Sequence, residues 1–564
     1  MHESRSIHRW KALLGILFWG LLLTPALGQQ KADAVYLGGT VVTMDAEGTT
    51  AHAIATAGEK ILAVGSNEEI RKLAGEGTVV HDLAGKTMLP GLYAAHDHFP
   101  GAGRVGLFLV DLNSPPIGKI KTMDELIAAL KEQAKSVPPG TWIRGRGYDD
   151  TLLAEKRHPT REDLDKASIE HPIWIGHTSG HLGVANSLAL KLANITSETK
   201  SPSGARIRKD EQTGEPNGVF EECGWLVTRK IPGRTQDQDL EAVKVAAQAY
   251  VRQGVTTSVI ANGGTLTIGL LERALDEGII QFRIVSMTSG GPYLNARASV
   301  EKRNSPLLRT GAIKMLQDGS IQGYTGYLSE PYYRSSDNRG YPNRSREALV
   351  EKVVELHKAG YQLAIHGNGD ASIDDILFAY EEAQRVFPRN DTRHRIEHAQ
   401  MMREDQIDKM KQLGVSPSYF AGHVYYWGDR HRDIFLGPER GARISPLAST
   451  VKRGIRFTMH DDTPVTPVDP LQLVWVAANR ETTGGKILGP QQRISAERAL
   501  RAVTADAAWQ NFEETTKGSL EPGKLADMVI LDQNPLEIDP GKIREIQVLE
   551  TIVGGQSVFK LEEN

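Results

Sequence analysis

Apolar and polar positions alternate in two distinct styles along the chain. From Ala34 to Val80 the alternation is short and broken by Gly-rich turns, in "AVYLGGTVVTM", "HAIATAGEKILAVGS" and "GTVVHDLAGKTMLPGL". That pattern predicts hairpins of a small β-sandwich. The same style returns near the C-terminus in "KGSLEPGKLADMVILDQNP" and "VLETIVGGQSVFKLEEN". Residues 34–88 and 515–564 are therefore expected to form one accessory sandwich from both ends of the chain.

The centre, 89–514, reads differently. Strand-like runs lie at 91–98, 254–261, 281–288, 311–318, 361–367, 394–399, 414–420 and 454–461, and amphipathic helical stretches separate several of them. In "REALVEKVVELHKAG" the residues Leu349, Val350, Val353, Val354 and His357 share one face, and Gly360 can close the helix. "REDQIDKMKQLG" repeats this with Ile407, Met410 and Leu413 before Gly414. Eight alternating units predict an α/β fold with a closed parallel (β/α)8 barrel. About 150 residues separate the first two strands, far beyond an ordinary βα connection of about 2–6. Residues from about 106 to 237 are thus expected to be an insertion over the barrel mouth. It has structure of its own, since Thr122 and Glu125 form a capping-box pattern before a helix.

The first 28 residues change the picture of where the chain works. Arg5, Arg9 and Lys11 precede the apolar run "ALLGILFWGLLL", and Ala26 and Gly28 make a small-x-small step. This predicts a secretory signal peptide cleaved after Gly28, with a periplasmic or secreted product. The apolar run is short against the roughly 20 residues of a membrane span, so no stable membrane anchor is expected after cleavage. Cys223 is the only cysteine, so no intrachain disulfide can form, and "EECGWL" suits a buried structural thiol better than a nucleophile. Net charge is −4 and no basic run follows the N-terminus, which removes electrostatic support for nucleic acid as a partner. A small-molecule substrate is expected, and a homo-oligomer is compatible with the composition.

Candidate chemistry sits at the strand ends, where barrel active sites are built. The first strand ends in His96 and His98, the fourth carries Lys314, the fifth ends at His366, the sixth at His398 and the eighth at Asp462. Any one of these histidines reads more readily as structural. Four imidazoles with a carboxylate are what a borderline-soft divalent ion such as zinc requires. In a strand, positions i and i+2 point the same way, so His96 and His98 can grip one ion while Asp97 faces elsewhere. Lys314 needs its own account, because an ammonium repels a metal. Carboxylated by CO2 it becomes an anionic bridge between two ions; otherwise it is a cation pairing with Asp318 or with substrate.

"TMLPGLYAAHDH", "GAIKMLQDGS", "IHGNGD", "HRIEHA", "HDDTPVTPVDPLQ" and "GSLEPGKLADMVILDQNP" together resemble the family 3 branch of the amidohydrolase superfamily, from about Ala34 to the C-terminus. "TGEPNGVFEE" and "TSGHLGVANSLAL" in the insertion are similar to motifs of that branch. The resemblance implies a metal-dependent hydrolase on a distorted TIM-like barrel with a flanking β-sandwich. It implies His96, His98, His366, His398 and Asp462 as metal ligands, Lys314 at the position carboxylated in binuclear members, and one or two zinc ions. Glu222 in "GVFEE" is a candidate additional ligand, against a helix-surface glutamate. Two departures stand out. Ala94 occupies the position of a usual aspartate, a loss expected to loosen the orientation of the first-strand ligands. His460, Asp461 and Asp462 stand where the family has "GSD", so either aspartate is open as the functional one, with "DTPV" favouring Asp462.

The chemistry this implies is attack of metal-bound hydroxide on a non-peptide C–N bond, with Asp462 as catalytic base and His181 of "SGH" as a substrate-binding donor to the oxyanion. A deaminase or a lactone or ester hydrolase would use the same machinery, and a non-catalytic metal-binding exported protein is the reading from another class. Trp142, Tyr148, Trp174 and Trp225 are expected in the insertion's core, with a pocket lining as the alternative, and Asp149 on an exposed loop, with a substrate contact at the mouth as the alternative.

Overall fold

The structure, a computed structural model, describes residues 30–261, 263–289 and 293–562. The expected signal peptide and its Gly28 cleavage point lie outside the described residues. Eight parallel strands form one sheet in sequence order: β1 (Leu92–Asp97), β2 (Val255–Ile260), β3 (Arg283–Thr288), β4 (Leu308–Leu316), β5 (Leu363–Gly367), β6 (Arg395–His398), β7 (Ser416–Tyr419) and β8 (Thr458–Met459). Most of their positions are buried on both sides, as a sheet wrapped by helices requires. Tyr93, Ala95, Val259, Val285, Met287, Ala312 and Ala364 fill the interior.

The barrel is distorted at one seam. A strand was expected across 454–461, but only Thr458–Met459 ladders, and only with β7. Among the described residues its other side meets no ladder partner. Single backbone bonds tie β1 across the gap instead, from Tyr93 N to Val503 O (2.9 Å) and from His98 N to Thr463 O (2.8 Å). The two expected helices form at Arg346–Lys358 and Glu404–Leu413, and Gly414 closes the second with φ +65°.

Between β1 and β2 the chain builds a six-stranded sheet. Its order is Arg206–Lys209, Pro216–Glu221, Leu182–Ala185, Ile173–His177, Ile143–Tyr148 and Val110–Asp111. The helix Met123–Lys135 starts with the expected box: Glu125 N donates to Thr122 Oγ1 (3.1 Å) and Thr122 N to Glu125 Oε2 (3.2 Å). At the far end of the barrel, strands from both chain ends form a four-stranded and a six-stranded sheet. Tyr36, Ile54 and Ile61 of one pack on Val41, Met88, Met528 and Ile552 of the other. Thr87–Pro90 joins the two chain ends in the larger sheet, parallel to Thr40–Val42 and antiparallel to Met528–Leu531.

Candidate metal centre

A one-residue bulge decides how β1 presents its histidines. Ser258 pairs with Ala94 and Ile260 with Asp97, so β1 carries one extra residue between these pairs. Beyond it, His96 and His98 turn to the barrel axis. Asp97 turns outward, where its carboxylate accepts from Phe99 N (3.0 Å) and Ser258 Oγ (2.9 Å), and burial pushes its pKa up to about 7. His96 Nδ1 bonds the Glu397 carboxylate, which lies beside Arg395 (Nε to Oε1 2.6 Å). With Nδ1 donating, the Nε2 lone pair faces the site, 3.2 Å from Lys314 Nζ and 3.5 Å from Asp462 Oδ1. Burial first, and Lys314 second, lower the His96 pKa to about 4, so the ring is neutral at pH 7. His98, its side chain 36% exposed, has Nε2 3.1 Å from the same Asp462 oxygen.

The other strands complete a ring around that point. The His96 and His398 ring centres are 5.0 Å apart, and those of His398 and His366 are 4.4 Å apart. His398 Nδ1 meets His460 Nε2 (3.0 Å), and Ser418 Oγ holds the far nitrogen of His460 (2.9 Å). His366 Nε2 is turned to Gly319 O (3.0 Å), 3.5 Å from Asp318. Burial keeps His366, His398 and His460 well below the ordinary imidazole pKa. Burial also lowers that of Lys314, against the pull of Glu397 and Asp462. Three residues here hold left-handed backbone, Glu222 (φ +57°), His398 (+68°) and Asp462 (+56°). Each costs of order 1 kcal/mol or more in a side-chain-bearing residue, a strain typical of functional sites.

The insertion supplies the next layer. His181 Nδ1 pairs with Glu222 Oε2 (2.9 Å), and its ring lies 5.2 Å from that of His366. Burial opposes the charge on His181, but Glu222 outweighs it and the pKa rises. Glu222 is not on a helix surface; it follows Pro216–Glu221, with Oε1 buried and unpartnered.

The described residues fit a cation. His96, His98 and Asp462 offer donor atoms within 4.8 Å of one another. Asp462 Oδ1 is buried and receives no well-directed hydrogen bond, although His98 Nε2 is close enough. Burial alone would raise the Asp462 pKa, but His98 and the other imidazoles hold the carboxyl well below its usual range. An orphan anion facing two imidazole nitrogens is the donor set of a divalent ion. His366 and His398 stand outside that three-residue group, one ring-width away, with Lys314 reaching His96 from the barrel wall.

Several expectations change. Lys314 does not pair with Asp318, whose carboxylate instead accepts backbone N–H groups from Tyr327, Asn368 and Gly369 (2.9, 3.0 and 2.8 Å). Ala94 packs outward with Leu240 and Tyr250, so its position does not hold His96; Glu397 does. Asp461 faces away and accepts from Asp469 N (2.8 Å). Asp149 is buried beneath Trp427 Nε1 (3.2 Å) and Arg430 (3.3 Å), not exposed. Trp174 and Tyr148 are core, but Trp225 is 52% exposed. Cys223 is buried as expected, with its pKa pushed up to about 11 by burial. Glu397 and Arg395 went unnoticed in "HRIEHA", although two charges at i and i+2 of a buried strand are a signal in themselves.

A family model described as "Amidohydrolase family" matches residues 79–559. The chain is 30% identical to an N-substituted formamide deformylase of Arthrobacter pascens, over 93% of this chain and 98% of that protein. It is 30% identical to Protein LONG AFTER FAR-RED 3 of Arabidopsis thaliana, over 97% and 95%. An uncharacterized metal-dependent hydrolase from Pyrococcus horikoshii superposes with a TM-score of 0.71 at 26% identity, covering 90% of this chain and 99% of that one.

Proposed function

The chain belongs to the amidohydrolase family, and from that premise we propose that it is an exported, zinc-dependent hydrolase of a non-peptide C–N bond in an amide, cyclic amide or N-substituted formamide. The observation that carries this is the buried, unpartnered Asp462 oxygen between His96 and His98. The similarity to a formamide deformylase supports the substrate class, and the leader-like residues 1–28 support export.

His96, His98 and Asp462 would hold one ion, and His366 and His398 a second. A bound zinc supplies an acidified water and polarises the substrate carbonyl. Asp462, ionised at neutral pH, holds the water, accepts its proton and delivers it to the leaving nitrogen. His181, its pKa raised by Glu222 against the effect of burial, would donate to the carbonyl oxygen as negative charge builds there. Glu397 fixes the His96 ring so that Nε2 faces inward. Lys314, its ammonium disfavoured by burial, is an amine suited to carboxylation by CO2, which would turn it into an anionic bridge.

Elemental analysis of the mature protein beside Lys314→Ala tests the reading. Two zinc equivalents in the parent, one or fewer in the variant, and release of formate or acid from an amide panel are expected. One equivalent unaffected by the variant would leave Lys314 a simple cation and turn attention to deamination. No metal in either would end the catalytic reading.

A further inference from the structure

The insertion strand Ile143–Tyr148 sends two arginines to one face. Ile143 is in that sheet's core, and a side chain at Gly145 would collide with Leu112, so Arg144 and Arg146 share the opposite face. Five arginines in and beside the insertion have carboxylate partners, Arg104 and Arg234 on Asp239, Arg157 on Asp163, Arg161 on Glu162 and Arg208 on Glu221, while the exposed Arg206 and Arg229 have none among the described residues. The Arg146 guanidinium has neither a hydrogen bond nor an ion pair among the described residues, although its backbone O accepts from Leu112 N (2.9 Å). Its strand neighbours do not fill the gap. Gly176 pairs with it on one side, and Asp111 on the other spends Oδ1 on the Asn113 backbone and side-chain amides (3.0 and 2.7 Å).

The guanidinium ends beside the centre described above. An ideal Cβ on Gly180 would sit 3.6 Å from Arg146 Nη2, and the next residue is His181, whose ring packs on His366. Asp462 is the carboxylate whose charge acts on Arg146, yet the two stay beyond ion-pair distance. A planar fork of N–H donors, held unpaired next to the reacting position, matches a carboxylate in two-point contact.

We propose that Arg146 binds a carboxylate carried by the substrate, so that the amide cleaved is one whose acyl or amine part bears an acid group. This rests on the hydrolase reading above and narrows it. Arg144, two residues back on the same face, also has no ion pair among the described residues, and the charges acting on it are those of Arg234 and Arg104.

The test compares acid and neutral members of matched pairs. N-formyl and N-acetyl amino acids and their C-terminal amides would be assayed with the zinc-loaded parent, Arg146→Gln and Arg146→Lys. The parent is expected to favour the acids in kcat/KM on the order of a hundredfold. Arg146→Gln should erase the preference through KM, with the neutral amides changed less than about threefold, and Arg146→Lys should restore part of it. Binding of the free amino acids and their amides, followed by calorimetry with each form, gives the same comparison without turnover. Equal handling of acids and amides by the parent overturns the proposal while leaving the hydrolase reading intact. A uniform loss of kcat on both in Arg146→Gln also overturns it, pointing to the reacting oxyanion instead. If no amide is cleaved but the acids bind through Arg146, the hydrolase reading fails and the carboxylate site stands.

Discussion

The two ends of the barrel hold buried charge in opposite ways. At the end where the strands begin, Glu513 accepts from Arg309 Nε (2.7 Å), Lys517 Nζ (2.9 Å) and Tyr93 OH (3.1 Å), and Arg283 bonds Asp527 in two-point fashion (2.7 and 3.0 Å). Each of these charges lies against an opposite one, with Glu513 shared by two cations. At the other end, Arg395 and Glu397 are so matched, but the buried Asp462 Oδ1, close to His96 and His98, receives no well-directed hydrogen bond among the described residues. Buried polar groups are normally satisfied because an unmade bond costs about 1–3 kcal/mol. A satisfied network holds the fold together, whereas a buried carboxylate oxygen left without a directed hydrogen bond points to a ligand.

That contrast can be broken by mutation. The largest effect is expected from Asp462→Asn, which should lower turnover about 10²- to 10⁴-fold on loss of the proton acceptor. Thermal melting of the metal-free protein should change little beside the loss of turnover, since Asp462 Oδ1 has no directed hydrogen bond to lose. A drop in melting temperature like that of a core mutant would make the two ends alike. Next comes Glu513→Ala at the opposite end, which strands Arg309 and Lys517. It should cost about 3–5 kcal/mol in denaturant titration while turnover per folded molecule stays unchanged. Glu397→Gln tests the border between the two behaviours. Zinc affinity, measured against a chelator, should fall about 10- to 100-fold as the His96 ring loses its anchor; unchanged affinity would reduce Glu397 to a purely structural partner of Arg395.

The smallest effect concerns pH. Burial, opposed only by the Asp462 charge, lowers the His423 pKa to about 3. The unfolded chain has an ordinary histidine near 6.5, so it takes up a proton first as pH falls. His423 therefore favours the folded state fully above that value and loses this contribution between about pH 6.5 and 3. His423→Phe should reduce proton uptake on unfolding near pH 5 by about one, read by calorimetry in buffers of different ionisation enthalpy. An unchanged uptake would mean that His423 is protonated in the folded protein.

Much of this was legible from periodicity. Alternation located all eight strands, and the i, i+2 spacing brought His96 and His98 together. Hydrogen-bond partners across a seam are not written in a strand's own residues, so β8 shrank from an expected eight positions to two. The β1 bulge was hidden for the same reason, and with it the outward turn of Ala94. Glu397 escaped because alternation predicts opposite directions for Glu397 and His398. The φ of +68° at His398 cancels that rule and lets both neighbours serve the site. Asp149 looked like a loop residue because nothing local announces Trp427, which comes from a connection nearly three hundred positions away.

The strand Thr87–Pro90 leaves a timing problem for the growing chain. One edge pairs with Thr40–Val42, already made, but the other waits for Met528–Leu531, synthesised about 440 residues later. At ~5–20 residues per second, that edge stays open for roughly 20–90 s on every ribosome. A strand left bare for so long is a template for pairing with other chains. Rapid emergence of the last 40 residues, or a chaperone sitting on Thr87–Pro90, would decide the yield of soluble protein as much as any contact in the finished fold.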